Sequence, residues 1–210
     1  MNYFLYLIIL ECPNNCGLVF CREICNKRKW HSTAECNQIK ESNILQIHPG
    51  SQYININQFS NWLLILRCIL LRDLSPESWK MVQLLDDHSE EESYKKQHLK
   101  NYEDNVVKPL LRLFPELTSR LKEKDILKMC AKLDSNSFRQ GESSRALFSV
   151  ASMLNHSCVP NARIIFDKNG NAKVLSKSQI DKGVEISITY CSPLLGTWVR
   201  YEMVKMNRIT

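Results

Sequence analysis

The chain lacks a segment that could span a bilayer. Its apolar opening, MNYFLYLIIL, is only ten residues long, about half of what a spanning helix needs. That opening has neither the basic flank nor the small-residue cleavage site of a secretory signal. A buried strand or helix is the plain reading of it, and no membrane partner is expected. No internal repeat or low-complexity tract is visible. A concentrated basic patch is missing too. The 28 Lys and Arg residues exceed the 22 acidic ones, for a net charge of +6, but they are scattered. The excess can attract an acidic partner, yet it reads first as a solvated surface, with no strong nucleic-acid signal. An even disulfide framework is also absent. Five of the nine cysteines crowd between Cys12 and Cys36 and the other four are dispersed, which favours thiolate metal ligands in a reducing compartment. Together these absences lead us to expect a cytoplasmic and/or nuclear location.

What is present divides into three textures within an ordinary globular composition, 44% hydrophobic and 24% charged. Residues 11–40 are rich in Cys, Asn and Lys and have little apolar periodicity; so small a zone rarely builds a core without a metal or disulfides. Residues 57–134 read as helices. NQFSNWLLILRCILLR places Phe59, Leu63, Leu66 and Leu70 at helical spacing. In SPESWKMVQLLDDH, Ser75 is the expected N-cap and Pro76 the first helical residue. Glu and Lys in SEEESYKKQHLKNYEDN support an exposed helical face. Pro109 and Pro115 are expected to interrupt or end helices, and His88 and His98 to be solvated surface residues. From residue 145 the character changes again. ARIIF and AKVLS flank Asp167-Lys168-Asn169-Gly170-Asn171, whose Asn-Gly pair signals a hairpin. VEISITY alternates like a strand after a turn at Asp181-Lys182-Gly183. The expected fold class is therefore α+β.

Two constellations carry chemistry. The first is CPNNCGLVFCREICNKRKWHSTAEC, with Cys12, Cys16, Cys21, Cys25, His31 and Cys36 as candidate ligands. Thiolate and imidazole are the preferred ligands of zinc, and short loops let two of them reach one ion. Free structural cysteines are the plain alternative, which the regular intervals disfavour. The second is MLNHSCVPNARIIF, where Asn155 and His156 stand beside apolar runs. Polar groups in such places need partners. Two readings stand side by side: backbone partners in a knot with no ligand, or a cofactor. Tyr190 is likewise either strand filling or part of a site, and Cys158 is expected to be a packing residue rather than a nucleophile.

The first constellation resembles the second half of a MYND zinc finger, through its Cys pairs, Trp30 and the closing HSTAEC. RALFSVASMLNHSCVPNARIIF followed by KGVEISITY resembles the SET domain of protein-lysine methyltransferases. With LRCILLRDLSPESW between them, the order resembles the SET and MYND domain-containing (SMYD) family, most like its arthropod SMYD-A branch. The resemblance implies a MYND-like finger over 11–40, a helical insert over 41–140 and the C-terminal half of a β-rich SET core with a pseudoknot over 141–200. Carried over by position, Cys12, Cys16, His31 and Cys36 form one complete zinc site. Cys21 and Cys25 belong to a second site whose first Cys pair is missing. One good zinc site and one broken one are thus expected; two tightly held ions per chain would overturn that. The four-residue gap between His31 and Cys36 is one longer than usual in such fingers.

By the same resemblance, residues 155–161 thread under a later loop to make the pseudoknot. Asn155 and His156 line a pocket for S-adenosylmethionine, Asn161 holds the knot, and Tyr190 ends the lysine channel. The implied activity is SAM-dependent transfer of a methyl group to a lysine of a histone or non-histone protein. Because that cofactor is already charged, the protein's task is to hold donor and neutral amine in line. The Gly-x-Gly segment that opens SET domains, the Cys-rich post-SET segment and the helical C-terminal domain of many relatives are not in these 210 residues. The chain is therefore expected to be truncated at both ends, with reduced or no activity alone. A degenerate SET scaffold whose finger binds a partner peptide is the alternative, and a fragment without function is a third.

Overall fold

The computed structural model describes residues 10–20, 31–42, 56–87, 98–115, 121–139, 145–167 and 170–206. Residues 1–9 of the opening segment, Cys21, Cys25, Trp30, His88 and Asn169 lie outside them.

The first part begins with a two-stranded antiparallel ribbon, β1 (Leu10–Glu11) and β2 (Val19–Phe20). A wide π-helical turn, His31–Glu35, then runs directly into α1 (Cys36–Ser42). The helical zone follows as α2 (Ile56–Leu74) and α3 (Pro76–Leu84). A helical run from Lys100 ends in α4 (Lys108–Leu113), and α5 (Glu123–Asn136) completes the layer. Trp62, Ile65, Leu66, Ile69 and Leu70 on α2 recur at helical spacing and are buried, as are Ile126, Met129, Cys130 and Leu133 on α5. They pack into one core with Cys12, Cys16, Phe20, Cys36 and Ile39. Among the described residues, the cysteine-rich zone and the helical zone therefore share a single apolar interior.

Local expectations are met with two differences. Pro76 opens α3 and Ser75 precedes it, but the Ser75 hydroxyl bonds Ser78 Oγ at 2.8 Å, with no cap to a backbone amide. Pro109, expected to break a helix, lies inside one. The helix widens into a π turn over Glu103–Val107 just before it, the usual way to accommodate a disturbed ladder. Pro109 cannot donate to the carbonyl four residues back, which is Asn105; the Trp62 indole N–H donates to that carbonyl instead, at 2.9 Å. At the other end of the helical layer, the Lys132 ammonium reaches the carbonyls of Gln83 (3.0 Å) and Leu85, closing the C-terminus of α3. Burial lowers its pKa, partly offset by Asp87 and Asp86.

The second part is small and built of short strands. β3 (Ser137–Arg139) pairs antiparallel with β4 (Arg145–Leu147). β5 (Asn155–His156) pairs parallel with β8 (Ser187–Ile188), and β6 (Ala162–Phe166) forms an antiparallel hairpin with β7 (Ala172–Ser176). α6 (Thr197–Met206) ends the described residues. The hairpin turns on Gly170, at φ 79°, whose amide bonds the Asp167 carbonyl. Gly183, at φ 90°, makes the expected turn with a Val184-to-Asp181 bond. Of VEISITY only Ser187 and Ile188 pair as strand; Val184 and Ile186 are exposed. Phe138, Ala151, Ala162 and Ile188 make the small core. No helix among the described residues is long and apolar enough to cross a membrane.

Candidate functional site

Two sites emerge, one in each part. In the first, a tight turn between β1 and β2 brings Cys12 and Cys16 together. Asn15 and Gly17 take left-handed backbone angles, at φ 54° and 88°, and the turn is closed by bonds from the Cys12 amide to the Leu18 carbonyl and from the Asn15 amide to the Cys12 carbonyl. The other two donors come from the turn into α1. His31 and Cys36 are five positions apart, which in an ordinary α-helix would separate their side chains. A π turn bonds one residue further along than an α turn, so it absorbs the extra residue and returns Cys36 to the side of His31. The spacing that departs from the usual MYND pattern is thereby reconciled with convergence.

Cys12, Cys16, His31 and Cys36 are all buried, and their donor atoms lie within 4.8 Å of one another. Cys12 Sγ is 3.1 Å from His31 Nε2 and 3.5 Å from Cys36 Sγ, and Cys16 Sγ is 3.7 Å from His31 Nε2. Around a tetrahedral zinc, with bonds near 2.0–2.3 Å, donors sit roughly 3.5–3.8 Å apart. The set fits, and it can hold a zinc ion. Burial raises the Cys16 thiol to about 12 and also raises that of Cys36. For Cys12 burial acts the same way but is outweighed by hydrogen bonds from His31 and the backbone, which bring it to about 6. A bound cation would have to displace the Cys16 and Cys36 protons and take all three as thiolates.

The remaining His31 nitrogen is also fixed. Nδ1 lies 3.0 Å from Glu35 Oε1, and Glu35 is 1% exposed. Burial would raise its carboxyl pKa, but the Arg67 guanidinium overrides this and holds it below the ordinary value. Arg67 donates through both arms, Nε to Oε2 at 2.6 Å and an Nη to Oε1 at 2.8 Å. A carboxylate at Nδ1 keeps a proton there, so a metal would displace the proton on Nε2 and be ligated through that nitrogen. Neither Glu35 nor Arg67 is among the candidates read from sequence; an acid four residues after a ligand His, on a helical turn, was the available signal.

In the second site the segment 155–161 is tied to residues 185–190. Beyond the parallel β5–β8 pair, the Ser157 amide bonds the Ile188 carbonyl at 2.8 Å. Asn161 spans the two segments with its whole amide: Nδ2 donates to the Glu185 carbonyl (2.8 Å) and Oδ1 accepts from the Ser187 amide (2.9 Å). Asn155 is exposed and donates to Glu185 Oε1 at 2.6 Å. His156 Nδ1 accepts the Tyr190 amide at 3.0 Å, which requires that nitrogen to be unprotonated. The Tyr190 hydroxyl donates to the Leu154 carbonyl at 2.6 Å, and its ring centroid lies 5.3 Å from that of His156. Cys158, expected to pack, is exposed instead, with Sγ 3.4 Å from His156 Nε2. Its turn faces outward between two strands, so packing does not reach it. His98 is half-buried, with its ring 6.5 Å from that of Tyr102.

Burial and the nearby Arg200 charge lower the His156 pKa below its ordinary 6.5. Between the lowered folded value and 6.5, the unfolded chain binds more protons, so the stabilisation from neutral His156 is present above 6.5 and lost as pH falls through the folded value. Protonation would also put a hydrogen on the nitrogen that accepts from Tyr190. Exchange protection of the Tyr190 amide is therefore expected to decline as pH drops below 6.5; protection that stays constant from pH 8 to 5 would contradict this.

The SET-domain family model matches residues 17–191, and the chain belongs to that family. Among curated proteins it is similar to the SET domain-containing protein SmydA-8 of Drosophila melanogaster, isoform A, at 26% identity over 94% of this chain. Isoform B of the same protein is 27% identical over the same share. Both alignments cover 41% of the relative's length, so this chain spans well under half of the proteins it matches. The resemblance read from the two motifs agrees with these relatives.

Proposed function

We propose that the chain is part of a SAM-dependent protein-lysine N-methyltransferase of the SET and MYND type. It would carry one structural zinc at Cys12, Cys16, His31 and Cys36, and Asn155, His156 and Tyr190 would line the transfer site. The observation that carries the reading is the binding of 155–161 to 185–190, which sets His156 against Tyr190 and fixes both backbones through Asn161. The cofactor supplies an already activated methyl group. The chain supplies orientation. Asn155 presents an exposed amide with both a donor and an acceptor atom. Neutral His156 keeps the Tyr190 backbone in place. Tyr190 directs its hydroxyl proton to Leu154, leaving the oxygen's lone pairs to accept a bond from a lysine amine. The zinc site and the helical layer serve as scaffold, and the substrate class is a lysine-bearing protein, histone or not.

A second reading is a degenerate scaffold whose finger binds a peptide. It is favoured by one observation: Asn155 and His156 already have protein partners, Glu185 and Tyr190. Calorimetric titration of S-adenosylmethionine separates the two. Binding to this chain, or only to a form extended at both ends, supports the transferase; binding to neither supports the scaffold. In the binding form, Tyr190→Phe is expected to impair methyl transfer to histone proteins at least tenfold with cofactor affinity nearly unchanged. Transfer at the wild-type rate would remove Tyr190 from the mechanism.

A further inference from the structure

The metal donors do not stand alone: a continuous polar link runs from them into the helical layer. His31 Nδ1 meets Glu35 Oε1, and both Glu35 oxygens meet Arg67 in the middle of α2. Glu35 is almost wholly buried, whereas the Arg67 side chain is 45% exposed. A buried acid needs a partner, and here the partner is carried by a helix 32 residues away in sequence. Fork geometry matters, because a guanidinium can engage both carboxylate oxygens at once, leaving the carboxylate one orientation towards the imidazole.

We propose that Glu35 is a positioning residue, held by Arg67, that ties a metal bound at Cys12, Cys16, His31 and Cys36 to α2. The inference rests on the metal reading above. In this arrangement α2 sets the angle at which His31 offers Nε2, and the bound metal in turn rigidifies the α2 contact. Carboxylates and similar groups behind ligand histidines are worth about 10- to 100-fold in metal affinity. Arg67 suits a test because its side chain is 45% exposed and it reaches the metal donors only through Glu35.

The experiment uses the whole 210-residue chain, wild type, Arg67→Ala and Arg67→Lys, loaded with zinc and challenged with a chromophoric chelator. A cobalt-substituted set is used for absorption spectra. Arg67→Ala is expected to bind zinc about tenfold more weakly and to shift the cobalt ligand-field bands. Its melting temperature should fall in both states, because Glu35 loses its partner, and by more in the zinc-loaded state than in chelator. Arg67→Lys, which keeps the charge without the fork, should lie between. Equal zinc affinity in all three proteins, or a melting deficit of the same size with and without metal, would mean that Arg67 is only a stability contact and would overturn the proposal. Wild type failing to retain zinc would instead defeat the metal reading, and this inference with it; the two failures are thus distinct.

Discussion

Cys36→Ser is expected to abolish tight zinc retention and to lower the melting temperature by more than about 10 °C. The side chain is fully buried and lies 3.5 Å from Cys12 Sγ. Serine is a poor zinc ligand, so the set of four donors falls to three. Binding free energy for structural zinc in small fingers is about 10–16 kcal/mol and appears as folding free energy. Even if half were lost, the midpoint would move by more than ten degrees, since each kcal/mol shifts a domain of this size by about 2–4 °C. The buried hydroxyl adds about 1–3 kcal/mol if it finds no partner. The loss should spread beyond the finger. Cys12, Cys16 and Cys36 belong to the same core as Leu66, Ile69 and Ile126, so α2 and α5 should loosen along with the ligand turn. Chelation of zinc-loaded wild type should reproduce the shift. A melt insensitive to both chelator and mutation would show that the four donors are a packed thiol cluster and nothing more.

Asn161→Ala should be the most damaging single change in the second part. One amide links two segments 24 and 26 residues apart, donating to the Glu185 carbonyl and accepting from the Ser187 amide. Alanine removes both bonds at once. Its own carbonyl still accepts the Lys177 amide, so β6 and β7 should survive while β8 loosens. A cost of about 1–3 kcal/mol is expected, since water can partly replace bonds at a site that is not fully buried. The local effect should exceed the global one, because the parallel pair is only two residues long and has little stability to spare. Hydrogen exchange reads this directly: the Ser187 and Tyr190 amides should lose protection while those of β6 and β7 keep it. Unchanged protection at Ser187 would mean that strand pairing alone holds the segment.

Much of the helical layer was legible because its residues repeat at helical spacing. Leu66 and Leu70, marked as apolar-face positions, are buried, and Pro76 opens a helix. The hairpin and the Asp181–Gly183 turn were also readable, since each rests on a local backbone preference that glycine satisfies. The path of the helix through Pro109 was not. It depends on a π turn and on Trp62, 43 residues from Asn105 in sequence, and no local rule connects them. VEISITY shows the opposite error. Its alternation promised a strand of several residues, but strand length is set by the partner, and β5 offers only two residues to pair with.

The sequence by itself determined the chemistry available: which cysteines and which histidine could ligate, which motif could knot, and the SET-domain class those motifs mark. Residue types and short spacings carry that information, because donor atoms and turn preferences are local properties. Only the tertiary structure decided how those groups are aimed. It placed Cys36 beside His31 despite the longer gap, by widening one turn. It chose Glu35 and Arg67 to orient the imidazole and assigned both ends of the Asn161 amide. Those choices join residues far apart along the chain. They follow from the need to pair a buried carboxylate and to bridge two segments that meet only once the chain has folded.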